Sequence, residues 1–324
     1  MNTKHYIQRA QEAVSAASYS PKKITAIHAG IAAAAGLIVA LLSYLLSAGI
    51  GDTGGLGGIG TRAALETAQS ALQILVAVAT PFWSMGFLAT ALQWARRQSA
   101  EPKTLLQGFR KWGPALRLMI LEGVIYIALL LLTSRIGSAL YFMTPYADAL
   151  NALVLQLTES GITDTAALTQ MLLEQDTAVM MKIFWSMLPF LVIPAMLLLI
   201  PLSYRLRLAR FIVMDHPRCG GMYAVALSVR LMKRNCLKLF LLDLRLWWFY
   251  GLEVVVQLLC YGELVLPLMG ISLNSSGVLV SFLFYALALL CQLGLYVWKK
   301  PQVITSYALF FDDLLQQAAS EYQR

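Results

Sequence analysis

The chain has 324 residues, of which 59% are hydrophobic and 13% charged, against about 25% charged in a soluble globular domain. Its apolar runs reach the roughly twenty residues needed to cross about 30 Å of hydrocarbon, which excludes an ordinary soluble fold. The net charge of +8 raises nucleic acid as a partner, but such binding needs the cations gathered on one folded domain. Here they are shared among many segments, so nucleic-acid binding is excluded as well.

Residues 1–23 are polar and mixed. Ile7, Ala10, Val14 and Ala17 fall at helical spacing, which predicts a short surface helix closed by Lys22 and Lys23. Span one is expected over 24–48, where Ala26 with Gly30 and Ala29 with Ala33 set small residues four apart, as suits close packing in lipid. The run 49–60 contains Gly49, Gly51 and Gly54 in G-x-G-x-x-G order. That fingerprint works only between a strand and a helix, so after a lipid-spanning helix it reads as a flexible outer loop. Span two covers 71–94, with Trp94 at the inner interface and Arg96 and Arg97 closing it. A short basic interfacial helix is expected over 104–112, with Gly113-Pro114 as a break.

Span three, 115–132, carries Glu122. An acidic outer region, 136–182, comes next, with helices expected at 147–157 and 165–173 forming a small extracytoplasmic hairpin. Span four, 183–204, contains Pro189, Pro194 and Pro201, and proline removes a backbone donor and bends a helix. The segment 205–238 is the most basic of the chain, and 222–238 is expected to be a helix. Its Tyr223, Leu227 and Leu231 make one face, and Arg230, Arg234 and Lys238 another. Spans five and six are expected at 239–262 and 278–298, joined by a short outer turn. Lys299 and Lys300 end the last span, and 301–324 is a cytosolic tail helix with Leu309, Phe310, Leu314 and Leu315 at near-helical spacing. The fold class is therefore all-α: a polytopic membrane domain over 24–300 with about six spans, kinked spans and amphipathic surface helices.

Six spans put both termini on one side. Twenty-two of the 25 Lys and Arg residues then share that side, and only Arg62, Arg135 and Lys182 lie opposite. The positive-inside rule makes the crowded side the cytosol. The tryptophans Trp83, Trp94, Trp185, Trp247, Trp248 and Trp298 read as an interfacial aromatic belt.

Ionisable groups within hydrocarbon cost a few kcal/mol each and draw attention for that reason. Glu122 and Glu253 are two such groups, and Asp243 and Arg245 sit near the inner edge of span five. One reading is a proton or cation site, since a buried carboxylate has a raised pKa. The other is a structural ion pair or interhelical hydrogen bond, with Arg117 or Arg245 as a partner for Glu122. Hydrolytic and metal chemistry find no pattern. His5, His28 and His216 are scattered, His28 reads as an interfacial residue, and nucleophile-elbow and phosphate-loop motifs are lacking. Cys219, Cys236, Cys260 and Cys291 have no metal-ligand spacing, and no disulfide is expected among them. No catalytic residue, metal or cofactor is expected.

From about Tyr204 to the tail, the residues Asp215-His216-Pro217, Ser228, Leu231-Met232-Lys233, Phe240-Leu241-Leu242-Asp243-Leu244 and Trp247-Trp248 resemble a family of bacterial integral membrane proteins, domain of unknown function family 975. Members usually carry a glycine soon after the lysine and a proline-tyrosine pair beyond span five, where this chain has Arg234-Asn235 and Leu266-Pro267-Leu268. The resemblance implies a helical protein of the bacterial cytoplasmic membrane and brings no catalytic residues. The expected role is that of a scaffold or accessory factor. Its cytosolic cations, Arg230, Lys233, Arg234 and Lys238, would engage anionic lipids of the bilayer or a protein partner. The alternative is a transporter or permease that uses the kinked span four with Glu122 or Glu253.

Overall fold

Across lipid, a lone segment must satisfy its own backbone polar groups, and only helix does so. The computed structural model describes residues 3–47, 56–148, 151, 152, 155, 177–216, 218–261 and 277–322, and no strand occurs among them. The helices are α1 (Thr3–Ser15), α2 (Pro21–Ser47), α3 (Leu56–Ala95), α4 (Gln107–Arg110), α5 (Trp112–Phe142), α6 (Thr177–Leu206), α7 (Ala209–Asp215), α8 (Gly221–Met232), α9 (Cys236–Arg245), α10 (Trp247–Cys260) and α11 (Gly277–Tyr322). Five stretches, in α2, α3, α5, α6–α7 and α11, are long and apolar enough to cross a membrane. The chain is a membrane protein of the all-α class.

Several boundaries differ from expectation, each for a physical reason. The supposed loop 49–60 is helical from Leu56; residues 48–55 lie outside the described part. Span three runs on through Arg135 to Phe142, which takes the first residues of the expected outer region into the helix. Most of the two expected outer helices and the turn after Tyr261 also lie outside the described residues. The Gly113-Pro114 break does not form, because Pro114 falls in the first turn of α5, where its missing N–H leaves no bond unmade.

The fifth expected span is divided. α9 ends at Arg245 and α10 starts at Trp247. The fourteen residues of α10 reach about 21 Å at 1.5 Å per residue; residues 262–276, which follow, lie outside the described part. Conversely, span six and the tail are one helix. Lys299 and Lys300 do not stop it, because their charges settle on aromatic faces. Lys299 Nζ lies 4.8 Å from the Trp298 ring centroid, and Lys300 Nζ lies 3.4 Å from that of Tyr296. Pro301 sits within this helix, and beyond it Val303, Tyr307, Phe310, Phe311 and Leu314 are buried. The tail is core, not surface.

The chain divides into two units, Met1–Leu118 with Leu208–Arg324, and Met119–Arg207. In the first, α11 packs against α1, α2, α3 and α10. The buried stripe of α1 is Thr3, Tyr6, Ala10 and Ala13, with Tyr6 set edge-on to Phe310. This is one position round from the expected face, and α1 is no free surface helix. α2 runs antiparallel to α11: Tyr44 meets Phe282, and a Cβ on Gly36 would come 2.9 Å from the Tyr285 hydroxyl. The close approach is thus at Gly36, whereas Gly30 faces open space. His28 is buried, stacked on Trp83 and Phe87 at 5.7 and 4.4 Å. Trp94 is 1% exposed and edge-on to Phe87. Both are enclosed by protein rather than facing outward. Exposed Trp185, Trp247 and Trp298 keep the belt's chemistry.

The expected interfacial helix at 104–112 is a 3-10 turn, Pro102–Leu106, followed by the single turn of α4. It docks on α3 by backbone contact. A Cβ on Gly86 would stand 1.8 Å from the Leu105 carbonyl oxygen, and one on Gly108 would stand 1.9 Å from that of Phe82. In the second unit, the Tyr141 hydroxyl donates to the Tyr146 carbonyl (2.8 Å) and lies 3.1 Å from Ser186 Oγ. Its ring meets Phe190 edge-on, and a Cβ on Gly137 would come 2.4 Å from the Phe190 carbonyl oxygen. All three prolines of α6 stay within the helix.

Gly86→Ala should lower stability by about 3 kcal/mol through forced separation of α3 from the turn beneath it. Gly30→Ala, in open space, should leave it unchanged or raise it by about 0.5–1 kcal/mol through helix propensity. Thermal unfolding of the two variants in detergent, monitored by intrinsic fluorescence, distinguishes them. Equal midpoints would contradict this packing.

Candidate functional site

The four cations singled out from the sequence lie where α8 gives way to α9. They do not share a continuous helix. α8 ends at Met232, and residues 233–235 form a turn closed by its own side chains. Asn235 Nδ2 donates to the Leu231 carbonyl (2.9 Å), Cys236 Sγ to that of Met232 (3.0 Å) and Lys238 Nζ to Asn235 Oδ1 (2.7 Å). Arg230 falls in the last turn of α8, where the helix dipole favours a cation. The buried face of α8 is Gly221, Ala224, Ser228, Leu231 and Met232, while Tyr223 is exposed. Of the expected Tyr223–Leu227–Leu231 face, Leu231 is buried and Tyr223 exposed.

Arg230, Lys233, Arg234 and Lys238 line one wall of a groove of about 780 Å³, and Leu314, Gln317, Ala318 and Glu321 of α11 line the other. Four cations face one carboxylate there. A second concavity, of about 330 Å³, lies between α7, α8 and α11 and is lined mainly by apolar side chains, among them Ile212, Tyr223, Phe311 and Leu315. α9 continues the chain with an exposed apolar stripe, Leu237, Phe240, Leu241 and Leu244, extended by Trp247. Its Leu239 and Leu242 are fully buried, on a helix that packs against α1.

The acidic candidates separate. Tyr307 of α11 donates from its hydroxyl to Asp243 Oδ1, and the Tyr250 hydroxyl lies 2.5 Å from that of Tyr307. One tyrosine thus holds both sides of the break at Leu246. Glu253 accepts from the Tyr296 hydroxyl, to which Gln292 Nε2 also donates at 3.0 Å. Asp243 and Glu253 are both joined to α11 by tyrosine. Arg245 is half-buried at the end of α9. Glu122 is 5% exposed and belongs to the other unit.

The polar centre that sequence reasoning missed is Arg96. α3 ends in a Schellman turn. Gln98 N–H bonds the Gln93 carbonyl at 2.8 Å, and Arg97 takes a positive φ of 54°. This stop leaves the Arg96 guanidinium facing Asp215 of α7, at 2.5 and 2.9 Å, and Asp312 of α11, at 2.7 Å. The hydrogen bonds to Asp215, and next those to Asp312, raise the Arg96 pKa further above its already high value. Alongside, Lys111 Nζ donates to the Met214 carbonyl at 2.6 Å; burial lowers its pKa, and Asp215 opposes that. Arg9 of α1 approaches Asp313 at 3.4 Å. The Tyr6 hydroxyl is shifted well above its usual pKa by burial and then by Asp313. One signal was legible: the pair Asp312-Asp313 interrupts the apolar run LFFDDLL, where carboxylates need partners.

Comparison with known proteins returned no matching family model, no matching curated protein and no matching solved structure. The resemblance of the C-terminal third stands on its motif residues alone.

Arg96→Ala should destabilise the protein by about 2 kcal/mol, because two largely covered carboxylates lose their donor. Arg96→Lys should recover little, since an ammonium cannot reproduce the planar fork. Limited proteolysis should then cut the 303–322 stretch faster in both variants. Wild-type cleavage rates in Arg96→Ala would contradict this role.

Proposed function

We propose that the protein is a non-enzymatic scaffold or accessory factor of the bacterial cytoplasmic membrane. Both termini would be cytosolic, and the protein would engage the anionic lipid of the inner leaflet through the basic groove of α8, α9 and α11. The observation that carries this reading is the convergence of Arg230, Lys233, Arg234 and Lys238 on one wall, opposed by a single carboxylate, Glu321. Each cation near an anionic leaflet contributes about 1 kcal/mol. The exposed stripe of α9, with Leu237 and Phe240 beside Lys238, has the make-up of a helix that lies at the headgroup boundary. The orientation rests on the bias of Lys and Arg toward the segments holding this groove.

A transport role finds less support. Glu253 is engaged by Tyr296 and Asp243 by Tyr307, and both bonds join helix to helix within one unit. Side chains so held serve architecture more simply than they serve exchange with a solute.

Native mass spectrometry of the detergent-solubilised full chain tests the reading by counting retained phosphatidylglycerol against phosphatidylcholine at equal supply. The wild type should favour phosphatidylglycerol, with the preference falling as ammonium acetate concentration rises. The triple variant Arg230→Glu, Lys233→Glu, Arg234→Glu should lose at least tenfold in preference. An unchanged preference in the triple variant would refute the reading.

A further inference from the structure

The two concavities are neighbours with a common wall. Leu227 and Ala318 line both, one from α8 and one from α11. On one side of this waist the four cations stand beside Leu231 and Leu314; on the other the lining holds no Lys or Arg and is mainly apolar, with Tyr223, Phe311 and Leu315. Their volumes of about 780 and 330 Å³ are each of the size that holds a small ligand, about 300–1,000 Å³. We infer that they form one cleft for a single anionic phospholipid: the headgroup phosphate among Arg230, Lys233 and Arg234, and one acyl chain past the Leu227–Ala318 waist along Phe311 and Leu315. This rests on the anionic-lipid reading above and adds a discrete, stoichiometric site to it.

The order of the chemistry favours a lipid over a partner helix. An amphipathic helix presents its polar and apolar sides along its whole length, so its groove needs an apolar floor with charges down both rims. Here all four cations line the larger concavity and no Lys or Arg lines the smaller, an order that suits a molecule with an anionic head and an apolar tail. The basic arm also has a route to the bilayer. Lys238 belongs to its wall, and the adjoining Leu237 begins the exposed apolar stripe of α9. The cations make charge-assisted bonds to phosphate, with arginine suited to bidentate contact.

The test uses the full-length protein in detergent and two photoactivatable probes that carry the same diazirine on one acyl chain, a phosphatidylglycerol and a phosphatidylcholine. Cross-linked peptides are mapped by mass spectrometry. The phosphatidylglycerol probe should label the peptides holding Tyr223 and Leu315 at least fivefold more than the phosphatidylcholine probe does. Ala318→Trp, which blocks the waist, should cut that labelling at least fivefold without changing labelling of α2 or α5. Ala319→Trp, placed on the exposed side of the apolar arm, should do the same and guards against misfolding of the first variant. Equal labelling by the two probes, or labelling indifferent to both variants, would overturn the site. So would labelling that an acidic amphipathic peptide displaces completely, since that marks a protein groove. If the site fails while phosphatidylglycerol retention still depends on Arg230, Lys233 and Arg234, the broader reading stands; if retention is also indifferent to them, both fall.

Discussion

A single guanidinium fixes the end of the first unit on which the rest of that unit is mounted. Arg96 leaves the last turn of α3 and meets carboxylates from two helices remote in sequence, Asp215 and Asp312. Each of those carboxylates lies among apolar neighbours: Asp215 succeeds buried Phe211–Met214, and Asp312 succeeds buried Phe310 and Phe311. A charge so placed is costly unless paired, and the planar fork of arginine can serve two carboxylates at once. The three helices can pack tightly there only because the pairing is complete. With Arg9 on Asp313, the same stretch of α11 is also tied to α1.

That anchoring explains where the core lies. The lipid-length segments leave Ile31, Ile38, Ile74, Leu75 and Val78 exposed, as side chains meant for hydrocarbon should be. Lipid tails are as apolar as leucine and give helices no hydrophobic reason to associate. Toward the charged ends of these helices the situation reverses. Leu92, Trp94, Ile212, Met214, Met232, Phe310 and Leu314 are nearly fully enclosed, and enclosure from water is worth about 25 cal/mol per Å². The charged ends of the helices therefore carry the protein's own core. Cations sort to its rim, and the basic groove opens where α8 and α11 part at its edge.

The lipid-length segments are legible in the sequence because length and apolarity alone define them: α3, α5 and α6 each contain the segment expected of them, and α2 holds 24–47 of the expected 24–48. Sequence reasoning misleads where a tertiary partner decides. Lys299-Lys300-Pro301 has the composition of a stop, yet Trp298 and Tyr296 take up the charges, and α1 packs over the helix beyond Pro301. The break at Leu246 carries no glycine or proline to announce it; it is held by Tyr307, which lies more than fifty residues downstream. Of the basic site, the cations of α8 and α9 could be read as a cluster. The opposing wall could not, since Leu314, Gln317 and Ala318 look like one face of an ordinary tail helix.

The fate of the two carboxylates bears on what kind of membrane protein this is. A carboxylate that binds and releases a proton or cation needs a changeable partner and a path to solvent. Asp243 and Glu253 instead each receive a tyrosine hydroxyl from α11. The two bonds secure α9 and α10 on either side of an interrupted helix, which a continuous span would not require. Interruption lets α9 turn onto α1 with its leucines outward while α10 stays with α11. The acids thus tie α9 and α10 to α11. Part-buried tyrosine–carboxylate pairs hold α9 and α10 to the same helix whose last turns form the other wall of the basic groove.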